Sequence, residues 1–190
     1  MNPNSRTATL LSVLVMLAPT CFAQTCDRQV AWDDLDNEVF GAGVAWLLDL
    51  SKSPGKLKVV VNPTTDEERP MSERNFGSAL DNSTIASFNK RNKKPCSLQK
   101  LYCPRTITID WSREAFRNSD DTREFWKAFH TRYPGYGILS VSMPGYSRNG
   151  NEALLNLGVL YDGLNGLWVT LRLRRSGLKW KVELLDHTAS

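Results

Sequence analysis

In the first half of the chain the apolar positions recur every three or four residues, which is the period of a helix that buries one face. The acidic residues Asp33, Asp34 and Asp36 stand at the start of such a segment, where they complement the positive end of the helix dipole. The pattern predicts a helix over 33–50. Its apolar face is formed by Leu35, Val39, Gly43, Trp46, Leu47 and Leu50.

Two shorter helices are expected further along the chain. One covers 81–92, and the other begins at Asn118 or Ser119 and ends before Pro134. The last of these helices carries an aromatic stripe with two further rings beside it. The stripe and the residues beside it are Phe125, Phe129, Tyr133, Trp126 and His130.

Beyond Pro134 the apolar period changes from 3.6 residues to two, which indicates strands with one buried face. Asn149-Gly150 is a hairpin turn signal, and Ser176-Gly177 separates the last two strands. In the last strand Leu178 is assigned to the same apolar face as Trp180. The predicted strands are 138–143, 152–161, 167–174 and 178–184.

The order of these elements predicts an α+β fold. The N-terminal helices are expected to pack on one face of a C-terminal three- to four-stranded antiparallel meander. Two short β-like runs, 57–61 and 106–110, precede the meander and are not assigned to it.

The segment 1–23 has the layout of a secretory signal peptide. A weakly basic start with Arg6 is followed by an apolar run over 10–18 and by small residues before a cleavage site after Ala23. The apolar run is about half the length of ~20 residues that a spanning helix needs, so no integral membrane segment is expected after cleavage. We therefore expect an exported protein, periplasmic or extracellular, with a single domain over 24–190.

The cysteines that remain after cleavage are expected to meet an oxidising compartment. Cys96 and Cys103 are close in sequence and form the expected disulfide, whereas Cys26 is left over or pairs with either of them. A lipoprotein, with lipid on Cys21, is the alternative to a plain cleaved peptide.

Few residues are suited to catalysis. With His130 and His187 as the only histidines and no nucleotide-binding motif, we expect no metal site, no cofactor and no assigned catalytic residue. A hydrolase in which His130 activates Ser140 or Ser142 is one alternative. A binding role is favoured over an enzyme.

The distribution of charge is the strongest functional signal. The chain has 24 Lys and Arg against 20 Asp and Glu, or 23 against 20 once Arg6 is removed, so its net charge is only mildly basic. Two acid-free blocks concentrate the positive charge, one after the second helix and one on the last two strands. The candidate binding residues are Lys90, Arg91, Lys93, Lys94, Arg172, Arg174, Lys179 and Lys181.

These blocks predict an anionic partner in the cell envelope, which could be a lipid headgroup, an acidic polysaccharide or an acidic protein. A nucleic-acid partner is not expected. The alternatives are a charged face that only keeps the sheet soluble and an inhibitor or immunity protein for a cell-envelope enzyme. The oligomeric state is left open.

A series of aromatic, glycine and turn positions recurs in a known order from residue 125 onward. These positions are Phe125-Trp126, Phe129, Tyr133-Pro134, Gly137-Ile138, Ser140, Gly145, Asn149-Gly150, Ala153-Leu154, Gly163, Gly166 and Trp180-Lys181-Val182. With them, and with a middle portion over 82–101, about half of the mature chain resembles a group of small exported bacterial proteins that have no assigned activity. The resemblance implies a bacterial, exported domain without a cofactor, and it supplies no catalytic residues.

Overall fold

Among the described residues, helices and strands alternate as far as residue 132, and strands alone follow from residue 137 onward. The computed structural model describes residues 33–51, 57–62, 64–65, 71–72, 76, 79–96, 98, 107–110, 121–163 and 165–189. The predicted signal peptide 1–23, Cys26 and Cys103 lie outside these residues.

The helices are α1 (Asp34–Ser51), α2 (Asn82–Arg91) and α3 (Thr122–Arg132). The strands are β1 (Leu57–Val61), β2 (Ile107–Asp110), β3 (Gly137–Val141), β4 (Gly145–Tyr146), β5 (Glu152–Leu160), β6 (Gly166–Ser176) and β7 (Lys179–Ala189). None of the helices in the described ranges is long and apolar enough to cross a membrane.

All these strands belong to one mixed sheet in the order β2-β1-β3-β5-β6-β7, and β4 pairs with β5. The strands β3, β5, β6 and β7 are antiparallel neighbours, whereas β1 is parallel to both β2 and β3. The α+β class is therefore confirmed. The meander is not the whole sheet, because β1 and β2 extend it. Val59, Val60 and Val61 are all buried, as expected for a strand covered on both faces.

The prediction that the helices share one face of the sheet is wrong. Helix α1 places Phe40 and Val44 in the main core with Leu155 and Leu171. The cross-strand neighbours Ile138 and Leu160 face the opposite side of the sheet.

On that opposite side, Ile138 and Leu160 pack with the aromatic stripe of α3. Helix α2 lies on the same side, where its Phe88 packs on Leu154. Helices cover both faces because β1, β3 and β5 carry apolar residues on both.

Aspartates begin the last two helices. The Asp81 carboxylate accepts the Ser83 N–H at 2.7 Å, and the Asp121 carboxylate accepts the Arg123 N–H at 2.8 Å. Asp121, and not Asn118 or Ser119, is therefore the N-cap of α3. A carboxylate at this position satisfies an N–H that has no partner inside the helix and also favours the dipole.

The prediction that Leu178 lies on the apolar face of the last strand is wrong. It lies in the turn between β6 and β7, beside Gly177 at φ 62°, and its side chain is 95% exposed. The strand β7 begins only at Lys179 and continues to Ala189, so that His187 pairs with Val169.

A buried carboxylate joins α1, α2 and β4. Asp36 is fully buried and accepts hydrogen bonds from Arg91 Nη1 and Nη2, each at 2.8 Å, and from the Tyr146 hydroxyl at 2.7 Å. Arg91 Nη1 also donates to the Pro144 carbonyl at 2.7 Å. Burial, together with the neighbouring Asp36 carboxylate, raises the pKa of Tyr146, so the phenol keeps the proton that it donates.

Replacement of Arg91 by Met should destabilise the fold by about 3–5 kcal/mol, because the Asp36 carboxylate would stay buried without its cationic partner. The double variant Arg91→Met, Asp36→Leu should recover much of that loss, because both charges leave together. Urea unfolding measures both values. Lys90→Met, at the exposed neighbouring position, is the control and should change stability by no more than about 0.5 kcal/mol. A double variant as unstable as the single one would contradict this account.

Candidate functional site

A polar strip crosses the sheet on the side that carries α2 and α3. It lies between the apolar contacts of α3 at Ile138 and Leu160 and the contact of α2 at Leu154. The strand register places the strip residues in two adjacent rows across β3, β5, β6 and β7. They line a groove of about 170 Å³. The strip residues are Ser140, Ser142, Asn156, Gly158, Trp168, Thr170, Asp186 and Thr188.

The indole of Trp168 lies over two glycines. A Cβ at Gly158 would stand 2.6 Å from Trp168 Cδ1 and Nε1, and one at Gly166 would stand 2.7 Å from Cη2 and Cζ3. The five-membered ring therefore covers Gly158 and the six-membered ring covers Gly166. Trp168 remains 40% exposed, so the indole presents surface to the solvent above the sheet.

The polar atoms around Trp168 are rich in hydrogen-bond acceptors. The Asn156 N–H donates to Ser142 Oγ at 2.9 Å, while Asn156 Oδ1 is buried and has no hydrogen-bond partner among the described residues. The exposed Asp186 carboxylate accepts the N–H of His187 at 2.8 Å. A ligand with several donors would match this groove.

The end of the β6–β7 hairpin, residues 174–181, carries the second candidate surface, which we call the hairpin tip. Arg174 pairs with Lys181 and Ser176 with Lys179, so the three cations share one face. All three side chains are exposed, and neither lysine forms an ion pair with a described residue. Leu178 projects from the turn between them.

Arg172, a candidate of the same block, is not part of this exposed surface. It is buried, and its Nε and Nη2 donate to Glu152 Oε2 at 2.8 and 2.6 Å. Glu183 lies 3.7 Å from Arg172, and Glu152 lies 3.8 Å from Arg174. Folding thus brings carboxylates to a segment that has none in the sequence, and this weakens its net positive charge.

The other basic block is divided in the same way. Lys90, Lys93 and Lys94 are exposed, whereas Arg91 is held by Asp36. The block therefore exposes three lysines, whereas its arginine forms an ion pair with the buried Asp36.

His130 lies on α3, where it is an aromatic neighbour of Trp126. Its ring stacks on Trp126 with centroids 5.4 Å apart, and no Ser, Asp or Glu of the described ranges hydrogen-bonds to it. Ser140 and Ser142, its proposed partners, line the polar groove. Among the described residues, no group of three His, Cys, Asp or Glu side chains could hold a metal ion.

Cys96 is buried in the main core, and its N–H donates to Thr65 Oγ1 at 2.8 Å. Since Cys103 lies outside the described residues, the Cys96–Cys103 disulfide stays a prediction.

Comparison of the chain with models of known protein families, with curated proteins and with solved structures gives no match. The resemblance to small exported bacterial proteins therefore stays a prediction. The function must be argued from the residues themselves.

Sequence reasoning missed the polar groove. The signal that could have revealed it is the outward face of β5, where Asn156 and Gly158 interrupt the apolar positions Leu154 and Leu160. Gly158 is placed opposite the exposed Trp168 only when the register of β5 and β6 is known, whereas Gly166 lies two residues before Trp168 on the same strand.

Glu152 should make the fold sensitive to acid. Burial raises its pKa, but hydrogen bonds from the Asp81 N–H, Arg172 and Thr84 outweigh burial and hold the pKa below its ordinary value of 4.5. A carboxyl whose pKa is lowered by folding adds stability above its unfolded pKa and loses it as pH falls toward the folded one.

Urea unfolding of the wild type and Glu152→Gln should therefore differ most at neutral pH. We expect a gap of about 2–3 kcal/mol, because Arg172 loses its charged partner, and the gap should narrow below about pH 4.5. Glu183→Gln, at a side chain that is 57% exposed, is the control with a small effect. A gap that stays constant with pH would contradict the role of the ionised carboxylate.

Proposed function

We propose that the chain is an exported binding domain, periplasmic or extracellular, that acts without a cofactor and docks on anionic phospholipid through the hairpin tip. The observation that carries the proposal is the 95% exposure of Leu178, an apolar side chain at the end of a hairpin whose neighbouring positions are cationic. The export signal read from residues 1–23 supports the compartment.

The composition of the hairpin tip suits a lipid surface. Insertion of one leucine into the headgroup boundary gains about 1.5–3 kcal/mol. Each cation close to an anionic membrane adds about 1 kcal/mol, and Arg174, Lys179 and Lys181 are exposed beside the leucine. One apolar contact together with several cations combines the two kinds of signal, hydrophobic insertion and electrostatic attraction, that strengthen binding to an anionic membrane.

A lipid partner is favoured over an acidic polysaccharide because of Leu178. A polysaccharide would engage the cations but has no apolar interior to receive the leucine. The carboxylates Glu152 and Glu183 near the base of the hairpin limit the positive charge, so charge alone would give weak binding.

The proposal is tested by co-sedimentation of the full-length mature protein with vesicles of phosphatidylcholine and phosphatidylglycerol, and with vesicles of phosphatidylcholine alone. We expect binding to the anionic vesicles only, and the binding should weaken as NaCl rises from about 0.05 to 0.5 M. Leu178→Ser, which leaves the charge unchanged, should weaken binding about tenfold or more.

The triple variant Arg174→Gln, Lys179→Gln, Lys181→Gln should abolish the salt-sensitive part of binding. Its matched control is Arg123→Gln, Lys127→Gln, Lys58→Gln, which removes the same residue types from exposed positions elsewhere. Equal losses of vesicle binding in the two triple variants would contradict the proposal. So would binding that Leu178→Ser leaves unchanged, and that result would favour an acidic polysaccharide or protein partner.

A further inference from the structure

The polar groove is a second candidate binding surface, separate from the hairpin tip. Trp168 stands eight residues before Ser176 on β6, a distance of about 26 Å along an extended strand. No candidate residue of the basic blocks lines the groove. We infer that the groove binds a neutral sugar ring, which stacks on the indole of Trp168 and hydrogen-bonds to the surrounding polar groups.

The surroundings of Trp168 indicate that its indole is a binding surface for a ligand and not an ordinary core side chain. Trp168 lies over Gly158 and Gly166, where any side chain would collide with it. A glycine inside a strand such as Gly158 costs about 0.5–1 kcal/mol relative to alanine. The two glycines leave room for the indole against the sheet, yet 40% of Trp168 stays exposed. In the described structure nothing packs over the exposed part of the indole. A flat ligand could therefore stack on it.

A pyranose ring has the matching chemistry. The C–H bonds on one face of the sugar are slightly positive, and the face of an indole is negative. The equatorial hydroxyls of a stacked sugar point sideways and donate hydrogen bonds. The Asp186 carboxylate and the Ser140 hydroxyl line the groove as acceptors. The lining residue Asn156 adds a buried Oδ1 that has no hydrogen-bond partner among the described residues. A groove of about 170 Å³ is of the size of one such ring.

Other ligands fit less well. The exposed Asp186 carboxylate repels anions. Quaternary ammonium ions are held by cages of several aromatic faces, whereas the residues that line the groove include Trp168 and His187 but no Phe or Tyr. The hydroxyl-rich lining does not suit a purely apolar molecule.

The probes are cellotriose and chitotriose, titrated separately into the full-length mature protein by isothermal calorimetry. We expect one of them to bind with a dissociation constant of about 1 mM or below, as a single shallow site allows. Trp168→Ala should weaken that binding at least about tenfold, and Asn156→Ala should weaken it by a smaller factor.

Gly158→Ala keeps the tryptophan but forces the indole off the sheet, so it should weaken sugar binding with a change in tryptophan fluorescence. The matched control is Tyr161→Ala, which removes an aromatic side chain of similar exposure, 37%, outside the groove. Thermal unfolding confirms that each variant is folded.

The absence of binding to both trisaccharides would overturn the inference. Binding that Trp168→Ala leaves unchanged would also overturn it, as would binding of choline in place of either sugar. Because Trp168→Ala leaves the hairpin tip intact, its vesicle binding should equal that of the wild type. The lipid proposal and the sugar inference can therefore fail separately.

Discussion

The buried carboxylate of Asp36 is the interaction on which the arrangement of the helices depends. An ionised carboxylate with no exposed surface is unfavourable by several kcal/mol unless hydrogen bonds and an opposite charge replace the lost water. Arg91 and Tyr146 supply them from α2 and β4, and the N–H of Asp33, the residue before α1, adds a further bond at 3.0 Å. The three elements can satisfy this group only when they meet around the β4 edge of the sheet.

This constraint shapes the sheet surface as well. With α2 held at β4, its Phe88 lies so close to Gly145 that a Cβ there would stand 2.4 Å from Phe88 Cβ. Helix α2 therefore covers the end of the sheet at Leu154, and α3 covers the opposite end at Ile138. The strip lies between these two contacts, and Trp168, Asp186 and Thr188 in it are exposed to solvent. The position of the polar groove thus follows from where the two helices pack.

The sequence predicted the elements well, because their periods are local. The helix over 33–50 and the strands of the meander agree with α1 and with β3, β5, β6 and β7 to within a few residues, apart from the late end of β7. Contacts between distant segments could not be read in this way. Glu152 and Arg172 are 20 residues apart, and Asp36 and Arg91 are 55 apart, so their pairing depends on the completed fold. The basic blocks therefore looked more exposed in the sequence than they are in the structure.

The groove depends on a further irregularity that alternation alone cannot predict. A register shift between Thr170 and Leu171 makes Asp186 pair with Thr170, while Leu184 pairs with Leu171. One extra residue, Leu185, is thereby accommodated, and each bulge of this kind reverses which side chains face which side of the sheet. Without it, the side chains of Asp186 and Thr188 would continue the alternation of Val182 and Leu184 and face α1. The bulge turns the polar end of β7 toward the groove and keeps its apolar start in the core.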